Sequence, residues 1–328
     1  LAMLTGLGYG MEMVVSHRSK SPNDDMEAQI AIAVNAVGLK AGGGANTERL
    51  VKYGSIIKMM KEAIWDMAKK SNPAATDMEL AKVVEDLLGK VQVTKIVAYE
   101  EATNAGIPTV GVKVNVGIPG SKEYENLFGF TGSTPLGTSA GTGEAIHLID
   151  SMIEANPVTV KYPELFTENK DKTFTFKKTV DDNIIREKND NDLTDLYKQA
   201  KRYSGKGTLN AVSNVETILT KLFVGKTVAQ VGSVVDIDKA LLQSEFELGV
   251  ERGKISATAT DEEKIKFMQR KGNLGMNAIL STSLALARMS AAMQGKELWQ
   301  VLRESMSETI AITIAEKEGV SAADLVKQ

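Results

Sequence analysis

Cationic and hydroxyl side chains follow two apolar segments near the start of the chain. Residues 11–15 are apolar apart from one glutamate, and Lys40 closes the next apolar segment, just before the glycines at 42–44. The polar residues that follow the first segment are Ser16, His17, Arg18 and Ser19. An arginine presents a planar fork of donors that suits phosphate or carboxylate, and a lysine adds a point charge. The pattern predicts an anion-binding edge, although a polar strand end and a surface lysine explain each segment taken alone.

A glycine-rich stretch at 134–147 offers a second kind of chemistry. Its centre fits the G-x-S-x-G pattern of serine-hydrolase nucleophile elbows, with Ser139 as the nucleophile. The triad then needs a later histidine, and His147, the only one downstream, lies about two turns along a helix predicted from about Thr142. Residues 128–135 also lack the apolar strand that precedes an elbow. The sequence therefore favours a flexible loop here and a structural role for His147.

The elements that must position the cationic residues at 16–19 and 40 alternate between strand and helix. Residues 1–70 show two apolar strands, each followed by a segment with helical spacing, which is typical of parallel strands joined by helices. Since the carboxyl ends of parallel strands meet at one edge, residues 16–19 and Lys40 should share a rim. Residues 71–91 are predicted to be a connector in which 71–73 end one helix and Asp77 caps the next.

The remainder of the chain has a different character. Strands at 93–98 and 109–116 are separated by Gly106 and Pro108, which predicts an antiparallel hairpin. Alternate valines of the second strand should face one side. Three amphipathic helices are predicted at 209–222, 237–246 and 278–293. Residues 151–203 carry many charges of both signs and are predicted to be a solvated, irregular surface insertion.

Composition excludes several classes of function. The chain has 328 residues, no cysteine, two histidines and a formal net charge of -3. Disulfides, thiolate nucleophiles, cysteine-bound metals and histidine-rich metal sites are therefore excluded, and no basic field attracts nucleic acid or anionic lipid. No apolar run approaches the roughly 20 residues of a membrane helix, and the first residues lack the features of a signal peptide. We therefore expect a cytoplasmic protein.

Six stretches together resemble the enolases, the magnesium-dependent enzymes that dehydrate 2-phosphoglycerate to phosphoenolpyruvate. The penultimate barrel strand of that family resembles GYGMEMVVSHRS, and its last strand and helix resemble GLKAGGGANTERLVKY. Its first hairpin is similar to KIVAYEEATNAGIPTVGVKVNV, and its loop P-S-G-A-S-T-G-x-x-E-A is similar to PLGTSAGTGEA. Two further stretches are YSGKGTLNAVSNV and GNLGMNAILSTSLALARMSAA. The spacing of 23 residues between His17 and Lys40 also matches the family.

The order of these stretches differs from that of the family, because the C-terminal ones come first. The resemblance implies a circular permutation that combines α/β and α+β parts. Residues 1–70 would form the last strands and helices of an enolase-type TIM barrel, and 71–91 a connector. Residues 92–328 would form a capping domain like the N-terminal one of enolase, a β-hairpin or sheet with helices, interrupted by the insertion at 151–203. No counterpart of the strands that carry the magnesium carboxylates, the lysine base and the glutamate acid is found.

The resemblance assigns roles to individual residues. Arg18 and Ser19 would hold the substrate phosphate, Lys40 would pair with its carboxylate, and His17 would line the site. Ser139 would ligate Mg²⁺ when the lid closes. The lid itself comprises Gly137, Ser139, Gly141, Gly143 and Glu144. The partners implied are 2-phosphoglycerate and phosphoenolpyruvate, a second chain that bears the rest of the barrel, and an oligomeric assembly. The missing part of the barrel would otherwise come from a segment lost before Leu1.

Some positions depart from the family pattern. The motif D-S-R-G is replaced by residues 103–106, Thr-Asn-Ala-Gly, and an arginine of the first strand by Tyr99. Two interpretations follow. The chain is a subunit of a split glycolytic enolase, a magnesium-dependent lyase, or it is an inactive enolase-like binding or scaffold protein.

Overall fold

Two short parallel strands form the first described part of the chain. In the computed structural model, the described residues are 13–16, 38–40, 65, 68–121, 125, 127–136 and 143–318. Strand β1 is Val14–Ser16 and strand β2 is Gly38–Lys40. They pair in parallel, with Val14 opposite Gly38. The parallel pairing predicted from the two apolar segments is thus confirmed.

The connector contains one helix, α1, which spans Asp77–Leu88. Its N-cap is Thr76, whose hydroxyl accepts a hydrogen bond from the backbone of Glu79, while the Glu79 carboxylate accepts from the Thr76 backbone at 2.8 Å. This reciprocal pair is a capping box, which satisfies two backbone donors at once. The prediction that Asp77 is the cap was therefore wrong by one residue.

A three-stranded antiparallel sheet follows. Its strands are β3 (Gln92–Ala102), β4 (Pro108–Gly117) and β5 (Phe128–Ser133), in the order β3-β4-β5. The alternate valines of β4 are fully buried on one face, as the period of two predicted. They are Val110, Val112, Val114 and Val116. The predicted hairpin is confirmed, and β5 extends it by one strand.

The charged insertion folds around a small core of its own. It contains helix α2 (Pro157–Lys161), strands β6 (Phe166–Glu168) and β7 (Phe174–Phe176), and helices α3 (Asp182–Lys188) and α4 (Asn191–Lys201). The rings of Phe166, Phe176 and Tyr197 stack at its centre, with successive centroid distances of 4.4 and 5.1 Å. The prediction of an irregular, solvated loop was therefore wrong. The charges occupy outer faces, while apolar residues spread along the segment meet inside.

Helices cover the buried face of the sheet. A nearly continuous helical rod consists of α5 (Leu209–Asn214), a π-helical turn at Val215–Leu219 and α6 (Thr220–Phe223). The remaining helices are α7 (Val228–Val231), α8 (Val234–Glu251), α9 (Asp261–Arg270), α10 (Met276–Met293) and α11 (Leu298–Glu318). All three predicted helices are present. No helix in the described ranges is both long and apolar enough to cross a membrane.

Helix α10 lies directly against β4 and β5. Its buried face is rich in alanine and serine, so the backbones of strand and helix approach closely. The closest approach is at Gly132 of β5, where an added Cβ would lie 2.3 Å from the carbonyl oxygen of Ser281. The core between the three-stranded sheet and α10 therefore depends on small residues at this contact.

Candidate functional site

The described residues include only part of the predicted site. Lys40, Gly143 and Glu144 are among them, with Lys40 described in its backbone alone. Six predicted site residues lie outside the described ranges, namely His17, Arg18, Ser19, Gly137, Ser139 and Gly141. Their roles stay predictions, while the described segments that flank them define where both parts of the site begin.

The first part of the site is the edge formed by β1 and β2. Ser16, the last residue of β1, pairs with Lys40, the last residue of β2. Both strands run in the same direction, so their carboxyl ends lie side by side. His17 follows Ser16 directly in sequence. The ends of β1 and β2 therefore lie side by side, and the grouping of the cationic residues at this edge stays a prediction.

The second part of the site is the loop at 137–142, whose preceding segment is held by buried hydrogen bonds. Thr134 is fully buried, and its carbonyl accepts from the hydroxyl of Thr109 at 2.8 Å. Its own hydroxyl donates to the carbonyl of Asn277 at 3.0 Å and lies 2.7 Å from the hydroxyl of Ser281. The chain before the loop is thus fixed to the first turns of α10.

The segment after the loop is held by the same region of the chain. Gly143 has a φ of +85°, a conformation that favours glycine. The carbonyl of Glu144 accepts from the guanidinium of Arg270 at 2.6 Å. The backbone of Ile146 donates to the carbonyl of Arg270 and accepts from Met276, both at 2.7 Å. Residues 144–146 therefore run alongside the start of α10.

Asn277 contacts the segments on both sides of residues 137–142. Its side chain is fully buried, its Oδ1 accepts from the backbone of Leu148 at 3.1 Å, and its Nδ2 donates to the carbonyl of Leu148 at 3.0 Å. Its backbone carbonyl accepts from Thr134 on the other side of the loop. Sequence reasoning missed this residue, although a lone asparagine at the start of an apolar helix was a usable signal.

The predicted helix from Thr142 is wrong for the described residues 143–150, which have no helical structure. The reason is the pairing with 270–276, which takes the backbone groups that a helix would use internally. A nucleophile elbow needs a helix directly after its serine. This context is absent at 143–150, so the rejection of the hydrolase interpretation gains support.

His147 is a largely buried imidazole at the base of the loop. Burial lowers the pKa of His147 to about 4, because the charged form loses its hydration. Its Nδ1 is buried and has no hydrogen-bond partner among the described residues, and its Nε2 lies 3.5 Å from Nδ2 of Asn277. The neutral form is therefore the native one, and the predicted structural role fits this environment.

Acidification is expected to destabilise the fold through His147. The folded-state pKa of about 4 lies below the ordinary value of 6.5, so the unfolded chain binds the proton more tightly. The stability contributed by neutral His147 is fully present above pH 6.5 and is lost as the pH falls through 4. At about 1.4 kcal/mol per pKa unit, the loss is about 3 kcal/mol. Urea unfolding across this pH range measures it.

The variant His147→Leu is the control for this prediction. Burial raises the pKa values of Asp150 and Glu245, so these carboxyls favour the folded state at low pH and oppose the histidine. They are present in both proteins, and the difference between the two stability curves therefore isolates His147. Parallel curves between pH 6.5 and 4 would show that the imidazole is not buried in its neutral form.

A separate polar cluster ties the end of the insertion to the sheet. Arg202 forms ion pairs with Glu100 of β3 and with the buried Asp150. The same carboxylates accept backbone hydrogen bonds, Glu100 from Thr208 at 2.6 Å and Asp150 from Asn210 at 2.8 Å. These contacts account for the polar atoms of the cluster, so its role is structural.

A magnesium site cannot be assembled from the described residues. Within the ranges that the structure describes, no three histidine, cysteine, aspartate or glutamate side chains are grouped so as to hold a metal ion. The one predicted ligand in this chain, Ser139, lies outside those ranges. The described residues therefore show no magnesium site, and the magnesium that the resemblance implies stays a prediction.

Comparison with known proteins finds similarity to enolases. The family model "Enolase, C-terminal TIM barrel domain" matches residues 2–76. Enolase 1 of Entamoeba histolytica is 37% identical over 106 residues, 32% of this chain and 18% of the relative. An enolase of Malacoplasma penetrans is 25% identical over 219 residues, 66% of this chain and 31% of the relative.

An enolase of Mastigamoeba balamuthi is 33% identical over 103 residues, 31% of this chain and 18% of the relative. The chain thus spans less than a third of the length of the curated relatives that it matches. The alignment of 219 residues is longer than the barrel match at 2–76, so the similarity reaches beyond that segment. On this evidence, the chain is similar in sequence to enolases over part of its length, and its strands and helices fit an α/β fold.

Proposed function

We propose that this chain supplies the substrate-side contacts and the lid of an enolase-type active site. The observation that carries the proposal is the register of β1 and β2, which sets Ser16 opposite Lys40 at the ends of two parallel strands. Arg18 follows two residues after Ser16. The same edge therefore receives a guanidinium and an ammonium, which suits a substrate with a phosphate and a carboxylate.

The proposed reaction is the reversible dehydration of 2-phosphoglycerate to phosphoenolpyruvate in glycolysis. Arg18 and Ser19 hold the phosphate, Lys40 pairs with the carboxylate, and His17 lines the site. Negative charge grows on the carboxylate when the adjacent proton is removed. A fixed ammonium at Lys40 stabilises that charge without the cost of reorienting water.

The lid in this proposal is the loop at 137–142. Its glycines and Gly143 allow large backbone changes, while the buried contacts of Thr134 and Asn277 keep both ends in place. Closure over the substrate excludes water and completes the site. Ser139 as a magnesium ligand and Glu144 as a lid residue stay predictions, and we assign no step to the metal.

The remaining barrel, with the groups that transfer protons, is proposed to come from a second chain in a cytoplasmic oligomer. Two strands cannot close a barrel, since each leaves unpaired backbone groups at an open edge. The same proposal includes the circular permutation, in which the barrel strands of residues 1–70 precede the capping domain of residues 92–328. A partner that completes the sheet would cover these edges and place its catalytic groups opposite Lys40.

The proposal predicts that activity depends on the cationic edge. The full chain is purified with its associated proteins, and phosphoenolpyruvate formation from 2-phosphoglycerate is assayed with Mg²⁺. Arg18→Gln and Lys40→Gln should each lower kcat/KM by roughly 100-fold or more, since each removes a charge that stabilises the transition state. Lys198→Gln, which removes an exposed lysine of the insertion, should leave kcat/KM within about twofold.

Two outcomes would refute this assignment. One is an active assembly in which Lys40→Gln has wild-type kcat/KM. The other is a stable, isolated chain that has no barrel-bearing partner and forms no phosphoenolpyruvate.

The second candidate is an inactive enolase-like binding or scaffold protein. The folded insertion favours it, because a subdomain with its own core adds a rigid, charged surface that the dehydration does not require. This candidate predicts a stable complex with a partner protein but no phosphoenolpyruvate formation at any Mg²⁺ concentration. An assembly whose activity depends on Lys40 would rule it out.

A further inference from the structure

The insertion joins the rest of the chain at a single junction, because its two ends lie side by side. The hydroxyl of Ser151, its first residue, donates to the carbonyl of Gly205, two residues after its end, at 2.8 Å. Tyr203 and Ser204 have φ values of +49° and +56° here, which residues other than glycine rarely adopt. The buried apolar residues of the insertion form a cluster separate from the core of the sheet and its helices. Such a subdomain can move as one unit about its junction.

Ionic contacts hold the start of the insertion against the end of helix α8. The carboxylate of Glu154 pairs with Arg252 at 3.1 Å and with Lys254 at 2.7 Å, and none of the three side chains is more than 26% exposed. The ammonium of Lys172, at the tip of the β6–β7 hairpin, donates to the carbonyl of Gly253 at 2.7 Å. Ion pairs of this kind are weakened by salt and by the loss of one charge.

Arg252 connects this ion pair to the segment 144–146, which follows the loop at 137–142. The Nη1 atom that pairs with Glu154 also donates to the carbonyl of Asn273 at 3.0 Å. Asn273 lies within the stretch 270–276, whose two ends bond to residues 144–146 at 2.6–2.7 Å. Hydrogen bonds therefore connect the insertion, through the stretch 270–276, to the segment after the loop.

The tip of the hairpin also lies beside the same segment. Residues 170–172 line one side of a crevice, and Ile146, Arg270 and Gly272 line the other. Arg270 is the residue whose guanidinium donates to the carbonyl of Glu144. Movement of the tip away from α8 would open this side of the crevice to water, and with it the backbone that holds the segment.

We propose that the insertion is a regulatory element that fixes the segment 144–146 when it is docked on α8, and that the ion pairs of Glu154 control the docking. When these pairs break, Arg252 and Lys254 are left together without a counter-ion, which favours movement of the insertion away from α8. The hydrogen bonds around residues 144–146 then open more often. The consequence for catalysis rests on the proposed function, in which this segment follows the lid.

Hydrogen exchange of the full chain, followed by mass spectrometry of its peptides, tests the proposal. Glu154→Gln should raise the exchange rate at 144–150 and 270–276 by roughly fivefold or more, because the undocked state becomes more populated. Exchange in β4 should change by less than about twofold, since the separate core stays folded. Wild-type protein moved from about 0.05 to about 1 M NaCl should show the same local increase, by roughly twofold or more.

The matched control is Glu164→Gln, which removes the same charge from an ion pair within the insertion, formed with Lys188 at 2.8 Å. It should change exchange at 144–150 by less than about twofold, because this pair does not contact α8. If Glu154→Gln unfolds the protein, Lys172→Ala replaces it and should raise the same local exchange by about twofold or more.

Three results would overturn the proposal. They are no local increase in the variant that removes the contact with α8, an equal increase in the control, and an equal increase in β4. Exchange needs neither substrate nor partner chain, so an assembly without activity would refute the proposed function and leave this result unchanged.

Discussion

Replacing Gly132 with alanine is expected to destabilise the fold by about 4 kcal/mol or more, an effect at the upper end for single substitutions. The new Cβ would lie 2.3 Å from the carbonyl oxygen of Ser281 and 2.6 Å from the backbone nitrogen of Ala285. Both are backbone atoms of α10, so neither can move aside without shifting the helix. Separating β5 from α10 also opens the packed core, which adds to the cost. Equilibrium unfolding in urea measures the change.

Gly129→Ala is the matched control on the same strand. Its Cβ would meet the end of the Lys113 side chain, 2.3 Å from Cε, on the opposite face of the sheet. A lysine side chain is flexible and reorients at little cost, so the expected loss is below about 1 kcal/mol. Equal destabilisation by the two substitutions would mean that the close approach of β5 to α10 is not what limits stability.

Replacing Asn277 with alanine is expected to lower the free energy of unfolding by about 3 kcal/mol, the second of the two largest effects. The substitution leaves the backbone N–H and carbonyl of the buried Leu148 without partners, and each unsatisfied buried group costs about 1–3 kcal/mol. It also releases one end of the loop at 137–142 from α10. We therefore expect faster proteolysis at this loop as well as a lower unfolding midpoint.

Ser283→Ala provides the comparison within α10. Its hydroxyl donates to Asp238 at 2.7 Å in an exposed position, so water replaces the lost partner and the expected loss is below about 1 kcal/mol. Proteolysis followed by mass spectrometry should locate the additional cleavage of Asn277→Ala near 137–142. Cleavage elsewhere, or a loss of stability no greater than that of Ser283→Ala, would show that the side chain of Asn277 does not hold the segment that follows residues 137–142.

Patterns that are local in sequence predicted the elements well. The alternating valines of β4 face the core because successive strand side chains point to opposite sides. The parallel pairing of β1 and β2 followed from two apolar segments joined by a helical pattern. In these elements the residues that form the structure are close in sequence, so a period of two or of 3.6 is sufficient information.

Elements that depend on distant partners were predicted poorly. The insertion has the composition of a loop, but its core joins Ile153 to Ala200, residues that no local pattern connects. The segment 144–148 looked helical, yet its backbone pairs with residues near 270–276. Helix propensity contributes little free energy per residue, and tertiary hydrogen bonds of this kind override it.

The sequence by itself determined the hairpin, the parallel strand pair, the main helices and the relation to enolases. The grouping of His17, Arg18, Ser19 and Lys40 as one anion-binding set stays a prediction, since the structure describes only the pairing of Ser16 with Lys40 at that edge. Only the tertiary structure decided that Asn277 bonds to the segments on both sides of residues 137–142 and that the charged insertion has a core of its own. The physical reason is that burial and hydrogen-bond satisfaction are properties of contacts between residues far apart in the chain, which local patterns do not encode.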